Sequence, residues 1–431
     1  MNTLDLQIDS AVQDIRQQVG NEKILVLVSG GVDSAVSAAL LLKALPADRI
    51  YAVHVDHGFM RLHESDEICD ALEKMGLVHL KRMNAQDFFF NTILDTPDGP
   101  VGPLTTLNDP EKRRFVIGTL FIKLLQQIVE EMGLDFIKTY WAQGTIKPDL
   151  IESANPDYTQ GKNSGKNRIK THHNDVDLVR EARNRGLVVE TNKAWYKDEV
   201  RQVALRLGLP EEIAYRQPFP GPGLCVRLMG FDGTETVTER QHAEFQTLLT
   251  QLAPGLRGTV IPIKTVGVHN GERSYRNFAV VEGTDCEVDW DVVADLAAKI
   301  PNTLDFINRI VYRLNGRGKE YVCTPTTISQ ENTELLRQVD ARVSRFFARN
   351  RKIAQAFAVL LPTGSDEKPF SIVIRAIVTS DFMVGRPAKV GEEFTAGELR
   401  ELVAEIVRDF PQIDCVAYDF TAKPPATVEW M

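Results

Sequence analysis

Apolar residues in the first twenty positions fall at Leu4, Ile8, Val12 and Ile15, a spacing that lines one face of a helix over residues 1–20. The pattern then changes. Ile24–Val28 is a short, unbroken apolar run closed by glycines, as expected of a strand buried in a parallel sheet. An alanine- and leucine-rich helix is expected over Ser34–Leu45, a strand over Arg49–Val55 and a helix from His63 to Met75. A strand over His79–Asn84 and a long helix over Asp109–Met132 follow. Strands alternating with helices at this spacing predict an α/β domain with a doubly wound parallel sheet. Residues 86–108, with many Thr, Pro, Gly and Asn, are expected to form a loop, as are the polar residues 153–170. Lys197–Leu207 reads as a helix, and the proline–glycine segment Arg216–Arg227 ends the first domain near residue 228.

The rest of the chain carries a faint repeat. Segment 261–316 runs IPIKTVGV, RSYRNFAVV, a helix over Val292–Ile300 and FINRIVYRLNG. Segment 356–422 runs AFAVLLPT, FSIVIRAIVTS, a helix over Gly397–Phe410 and QIDCVAYDFTA. Two small α+β units of ββαβ form are expected, 229–328 and 329–431, joined by a helix near Glu331–Arg349, with their sheet faces packed on each other.

The 431 residues, 43% hydrophobic and 25% charged, suit two or three domains with cores of their own. No apolar run approaches the ~20 residues of a membrane span, and the start has no basic-then-apolar leader, so a cytoplasmic protein is expected. A formal charge of −9 argues against a non-specific grip on nucleic acid. The five cysteines lie far apart, without zinc or dithiol spacing, and read as buried, reduced thiols.

Chemistry concentrates at Ser29-Gly30-Gly31-Val32-Asp33-Ser34, directly after a strand and before a helix. Glycines let main-chain N–H groups approach an anion, the helix N-terminus favours negative charge, and Ser29 and Ser34 add hydroxyls. Asp33 would repel phosphate unless it holds Mg²⁺, so the loop points to a metal-bound polyphosphate. It is not a Walker loop, because no lysine follows the glycines. The next strand end, Val55–Arg61, suits adenine, through the main chain and Phe59 or Met60. Beyond it, Lys147, Asp149, Glu152, Lys170, His172 and His173 crowd acid, base and cation onto a lid-like segment.

SGGVDS is the signature loop of the ATP pyrophosphatases, which cleave between the α and β phosphates. With VDHGFMR, DPEKRRFVIG, AQGTIKPDLIES, IKTHHND, YKDEVR, LGLPEE, RQPFPGPGL, IPIKTVGV and KPPATVEW it stands in the order seen in GMP synthetases, from about residue 22 onward. The tandem second half resembles the longer, vertebrate-type form.

The resemblance implies ATP-dependent adenylylation of XMP, release of pyrophosphate, and displacement of AMP by ammonia. It places ATP on Ser29, Gly30, Gly31, Val32, Asp33, Ser34, Val55 and Met60, with Lys197 and Mg²⁺ at Asp33. It places XMP on Arg114, Pro218, Gly221, Gly223, Arg375 and Lys423, with Thr427 and Glu429 ordering the C-terminal tail. Asp149, Lys170, His172 and His173 fall in the lid. No glutaminase domain is found ahead of this unit, so ammonia is expected free or from a separate glutaminase, and the enzyme as a monomer or homodimer. Three places depart from the family pattern. Glu190-Thr191-Asn192 stands for E-P-L, Gln217 for the histidine of R-H-P-F-P-G, and Met431 for a final glutamate. They leave another oxo-purine or a specialised metabolite as the alternative acceptor, or a nucleotide-binding homologue without turnover.

Overall fold

The computed structural model describes residues 3–135, 138–147, 182–269, 272–283, 289–316, 318, 320–379 and 384–431. The chain divides into two compact units, 1–89 with 115–221, and 90–114 with 222–431. Strands and helices are numbered along the chain.

In the first unit, helix α1 (Thr3–Val19) buries Leu4, Ile8, Val12, Ile15 and Val19, the face expected from their spacing. The sheet consists of β1 (Ile24–Leu27), β2 (Ile50–Asp56), β3 (His79–Asn84), β6 (Tyr140–Gln143) and β7 (Val188–Glu190), in the order β3-β2-β1-β6-β7. Every pairing is parallel. Strand β1 is central, with Ile24 beside Ile50 on one edge and Tyr140 on the other. Helix α2 (Val32–Ala44) buries Ala35, Val36, Ala38, Ala39, Leu40 and Leu41; its alanines allow close approach to its neighbours. From β1 the chain builds outward to β3 and then returns to the other side of β1. The strand order therefore reverses between β1 and β6. Connections diverge there, and the carboxyl ends of those two strands flank a crevice.

Residues 86–108 are more ordered than their composition suggests. Helix α4 (Gln86–Asn91) buries Phe89 and Phe90, and β4 (Leu94–Thr96) pairs antiparallel with β5 (Gly99–Val101) across Pro97 and Asp98. Three consecutive phenylalanines supply the apolar area, and Gly99, at φ +109°, supplies the turn.

The second unit shows the repeat. Strands β8 (Leu256–His269) and β9 (Glu272–Gly283) form an antiparallel pair, and helix α9 (Trp290–Thr303) returns the chain so that β10 (Ile307–Arg313) runs parallel to β9. The same path recurs in β12 (Gln355–Leu361), β14 (Phe370–Val378), α11 (Ala396–Asp409) and β16 (Ile413–Asp419). The repeats do not pack face to face as expected. Strands β10 and β16 pair antiparallel, Val311 beside Asp419, and fuse both repeats into one sheet ordered β12-β14-β16-β10-β9-β8, with β15 (Arg386–Pro387) on β14. Every residue of β10 and β16 is buried, so each main-chain edge needs a partner, and each strand supplies the other's. The second contact unit takes up the chain again at Pro222, and its one sheet runs across residue 328.

Three buried charges lock this sheet to the C-terminal tail. Asp419 Oδ2 accepts from Arg309 at 3.0 Å and Trp430 Nε1 at 3.1 Å, and pairs with Arg375 at 2.7 Å; both arginines and Asp419 are fully buried. Burial, aided by neighbouring Arg375, pulls the Arg309 guanidinium down to about 9. Other donors go to main-chain carbonyls: Arg375 to those of Thr421, Thr427 and Val428, Arg309 to those of Val266 on β8 and of Thr427 and Glu429 in the tail. Removing the shared carboxylate strands two buried cations. Asp419→Ala is expected to lower stability by about 3–5 kcal/mol, read as a lower midpoint in urea unfolding.

Candidate active site

Strand β1 continues through Val28, whose N–H donates to Val53 at 2.8 Å, and the chain then turns through Ser29–Ser34 into α2. Gly30 has φ +90°, and a Cβ there would lie 3.1 Å from Glu64 Oε1. Ser34 Oγ donates to the Gly31 carbonyl at 2.9 Å and meets Ser29 Oγ at 3.2 Å, so both hydroxyls stand together at the N-terminus of a thirteen-residue helix. Glycine, helix N-terminus and paired hydroxyls are the features that favour a bound anion.

Asp33, in the first turn of α2, meets Lys197 at the start of helix α6 (Lys197–Arg206), with Oδ2 2.5 Å from Nζ. Its other oxygen, Oδ1, is buried with no hydrogen-bond partner. A buried, unpartnered carboxylate oxygen beside an anion loop is a place for a cation. Among the described residues no three His, Cys, Asp or Glu side chains gather as a metal cage.

Behind this pair lies a buried polar brace that the motif reading missed. The Asp33 carbonyl accepts from Ser37 Oγ and from Asn192 Nδ2, each at 2.9 Å. Thr191 Oγ1 lies 2.7 Å from Ser37 Oγ, and the Thr191 N–H donates to Gln143 at 3.0 Å. Gly144, just after β6, presses against the same carbonyl: a Cβ there would stand 2.9 Å from the Asp33 oxygen. The signal in the sequence is the polar run Glu190-Thr191-Asn192 directly after the apolar pair Val188-Val189.

A second set of contacts ties the loop to the proline–glycine segment. Arg216 donates to the Gly30 carbonyl at 3.2 Å and pairs with Glu67 at 2.6 Å. Arg61 donates to the carbonyls of Gln217 and Pro218, both at 3.0 Å, and lies over the Phe219 ring. Pro218 and Gly221 thus sit in the same unit as the phosphate loop. Val55 pairs with Met83 on β3, and Met60 is buried.

The other expected site residues lie in the second unit. Arg114 donates to Glu111 and to Tyr275 Oη, each at 2.9 Å. Gly223, at φ +61°, opens the short turn Gly223–Arg227. Lys423 pairs through its main chain with Gly385, and its side chain is half-buried. Thr427 Oγ1 accepts from Arg309 at 2.9 Å, and Glu429 takes a bidentate pair from Arg227 at 2.9 and 3.0 Å. Arg375, expected on a ligand phosphate, is fully buried, and its guanidinium bonds Asp419 and the tail. A charged group inside an all-buried strand must satisfy its donors locally. Asp149, Lys170, His172 and His173 lie outside the described residues. Cys225 is buried and its thiol pushed up to about 11, which leaves it without nucleophilic thiolate at neutral pH.

The GMP synthase C terminal domain family matches residues 345–430. Glutamine-hydrolysing GMP synthase of Dictyostelium discoideum is 34% identical over 479 residues, covering 100% of this chain and 66% of that protein. One of the separate subunits of the glutamine-hydrolysing GMP synthase of Methanococcus vannielii is 35% identical over 325 residues, covering 70% of this chain and 93% of that one.

The chain belongs to the GMP synthase family.

It spans about two thirds of the longer relatives it matches, 66% of the Dictyostelium protein. A looser likeness, with TM-score 0.32 and 15% identity, covers 50% of this chain and 77% of the NH3-dependent NAD synthetase from Campylobacter jejuni. No helix among the described residues is long and apolar enough to cross a membrane.

Gly144→Ala tests the close approach that shapes the site. A methyl group 2.9 Å from a main-chain oxygen forces the phosphate loop to shift, at a cost of about 1–3 kcal/mol. The expected outcome is a lower melting temperature together with weaker ATP binding in calorimetry. Unchanged values for both would remove the packing role given to Gly144.

Proposed function

We propose that this chain catalyses the ATP-dependent amination of XMP to GMP through an adenylyl-XMP intermediate. The observation that carries the reading is the Asp33–Lys197 pair at 2.5 Å beside the phosphate loop, in a chain of the GMP synthase family. The 2-oxygen of XMP attacks the α-phosphorus of ATP, and the bond from that phosphorus to the bridging oxygen breaks to release pyrophosphate. Ammonia then attacks the activated carbon; AMP departs with the former 2-oxygen, and a proton is lost.

Ser29, Gly30, Gly31, Val32 and Ser34 cradle the β and γ phosphates, while Lys197 stabilises charge on the departing pyrophosphate. Mg²⁺, when bound, draws charge from the phosphate oxygens. Asp33 Oδ1, buried without a hydrogen-bond partner, would hold it. Val55 and Met60 line the adenine side. Arg114, Pro218, Gly221, Gly223 and Lys423 receive XMP, with Lys423 presented by a tail that Thr427 and Glu429 fasten to Arg309 and Arg227. Asp149, Lys170, His172 and His173 act from the lid. Ammonia comes free or from a separate glutaminase, an arrangement favoured by the match to a Methanococcus protein named as one subunit of its enzyme. The enzyme works in the cytoplasm as a monomer or homodimer. Gln217, in place of the family's histidine, leaves another oxo-purine nucleotide as the second reading for the acceptor.

Purified chain given ATP, Mg²⁺, ammonium and XMP is expected to form AMP, pyrophosphate and GMP in equal amounts, and to form no GMP when glutamine replaces ammonium. ADP and phosphate as products would overturn the reading, and turnover with a different purine nucleotide alone would replace the acceptor. Asp33→Asn is expected to slow pyrophosphate release by about 10²–10³-fold, as loss of one transition-state electrostatic contact does.

A further inference from the structure

Thr191 and Asn192 are both buried, at 3% and 0% exposure. A hydroxyl and a carboxamide at such positions are tolerated only when hydrogen-bonded, so their partners show what they hold in place. We propose that Asn192 is a positioning residue for the adenylylation step, setting the Asp33 carboxylate against the Lys197 ammonium, with Thr191 fixing its register.

The Asn192 side chain reaches Asp33, and its main chain lies at the turn that leads to Lys197. Its side-chain amide donates to the Asp33 carbonyl at 2.9 Å and lies 3.4 Å from the Gly144 carbonyl, which holds the first turn of α2 against the end of β6. Its main-chain carbonyl accepts from the Trp195 N–H at 3.1 Å and closes the turn that leads through Tyr196 into Lys197. Thr191 completes the brace through Ser37 at 2.7 Å and the Asn192 Oδ1 at 3.1 Å. An aliphatic side chain at 192 could not donate to Asp33, and the Thr191 N–H is needed for its bond to Gln143. A neutral amide suits the place, because a carboxylate there would face two carbonyl oxygens. A displacement of the pair by a fraction of an ångström is enough to slow a step that depends on charge placement.

The inference rests on the pyrophosphatase reading of the Asp33–Lys197 pair. Three variants test it, Asn192→Ala, Asn192→Asp and Thr191→Val, with Lys193→Ala as a control on the same turn. Lys193 is exposed and pairs with Asp14. Asn192→Ala is expected to slow pyrophosphate release by about 10–100-fold, the usual loss when a group orienting a ligand-holding residue is removed. Asn192→Asp is expected to lose more, Thr191→Val less, and Lys193→Ala nothing.

A second readout is independent of turnover. The gain in ATP affinity on adding Mg²⁺ in place of EDTA, measured by calorimetry, is expected to shrink in the Asn192 variants. Combined with Asp33→Asn, Asn192→Ala is expected to add no further loss, because it acts through Asp33; multiplied losses would mark a merely structural residue. Wild-type turnover and a wild-type Mg²⁺ gain in Asn192→Ala would overturn the proposal. If Asn192→Ala fails to fold, the shape-preserving Thr191→Val carries the same comparison. If the unaltered chain releases no pyrophosphate with any acceptor, the proposed function fails, while the Mg²⁺-linked ATP affinity still decides the positioning role.

Discussion

The reversal of strand order between β1 and β6 governs the rest of the first unit. Two neighbouring parallel strands whose connections leave in opposite directions cannot close the space above their ends with their own loops. The sequence fills that space with groups that fit nowhere else in a packed core. Gly30 takes a positive φ, Gly144 allows a main-chain oxygen within contact distance, and Asp33 keeps one oxygen buried and unpartnered. Each is locally unfavourable. The apolar layer around β1 and α2 offsets them, because Ile24, Leu25, Ala35, Val36, Leu40 and Leu41 are fully buried there.

The second unit solves a different problem. Its tail has irregular main chain, yet it runs through the protein interior beside β8, with Val266 donating to Trp430 and Val268 to Pro425. Carbonyls facing away from β8 need other donors. Arg309 and Arg375 supply them, projecting from strands of opposite repeats onto the same few tail residues. Arginine suits this work better than lysine, since its planar fork serves a carboxylate and several carbonyls together. Asp419 keeps two adjacent guanidinium groups compatible with burial, and Trp430 closes the arrangement with its ring against Phe278.

Whatever depends on local spacing was legible in the pattern of residues. Helix α1, the strand–loop–helix around Ser29–Ser34 and both ββαβ repeats follow from periodicity and glycine placement. Side-chain partnership across long separations was less legible. Arg375 sits in an apolar run, FSIVIRAIV, where a lone arginine reads equally as a ligand contact or a buried strut. Only the presence of Asp419 and the tail carbonyls on its own side of the sheet decides for the strut. The edge-to-edge joining of the repeats was hidden for the same reason. A fully apolar strand specifies burial, but not which of its edges another strand will occupy. Thr191 and Asn192 were visible as departures, while their partners, Ser37 and Asp33, lie more than 150 residues away in sequence.

The chain crosses between its two units three times, after Phe89, after Arg114 and after Gly221. One of those excursions delivers Arg113, fully buried in the second unit, where it donates to the Leu107 and Leu228 carbonyls and contacts Met431 Sδ at 3.3 Å. The second unit is therefore not a module in the sense of a continuous gene segment. A fragment beginning at residue 222 would contain the whole seven-stranded sheet, yet leave a guanidinium-shaped hole beside its own last residue. Recombination or truncation that respects linear order would cut through the fold. A cut after Gly221 would part residues 222–431 from residues 90–114 of the same unit.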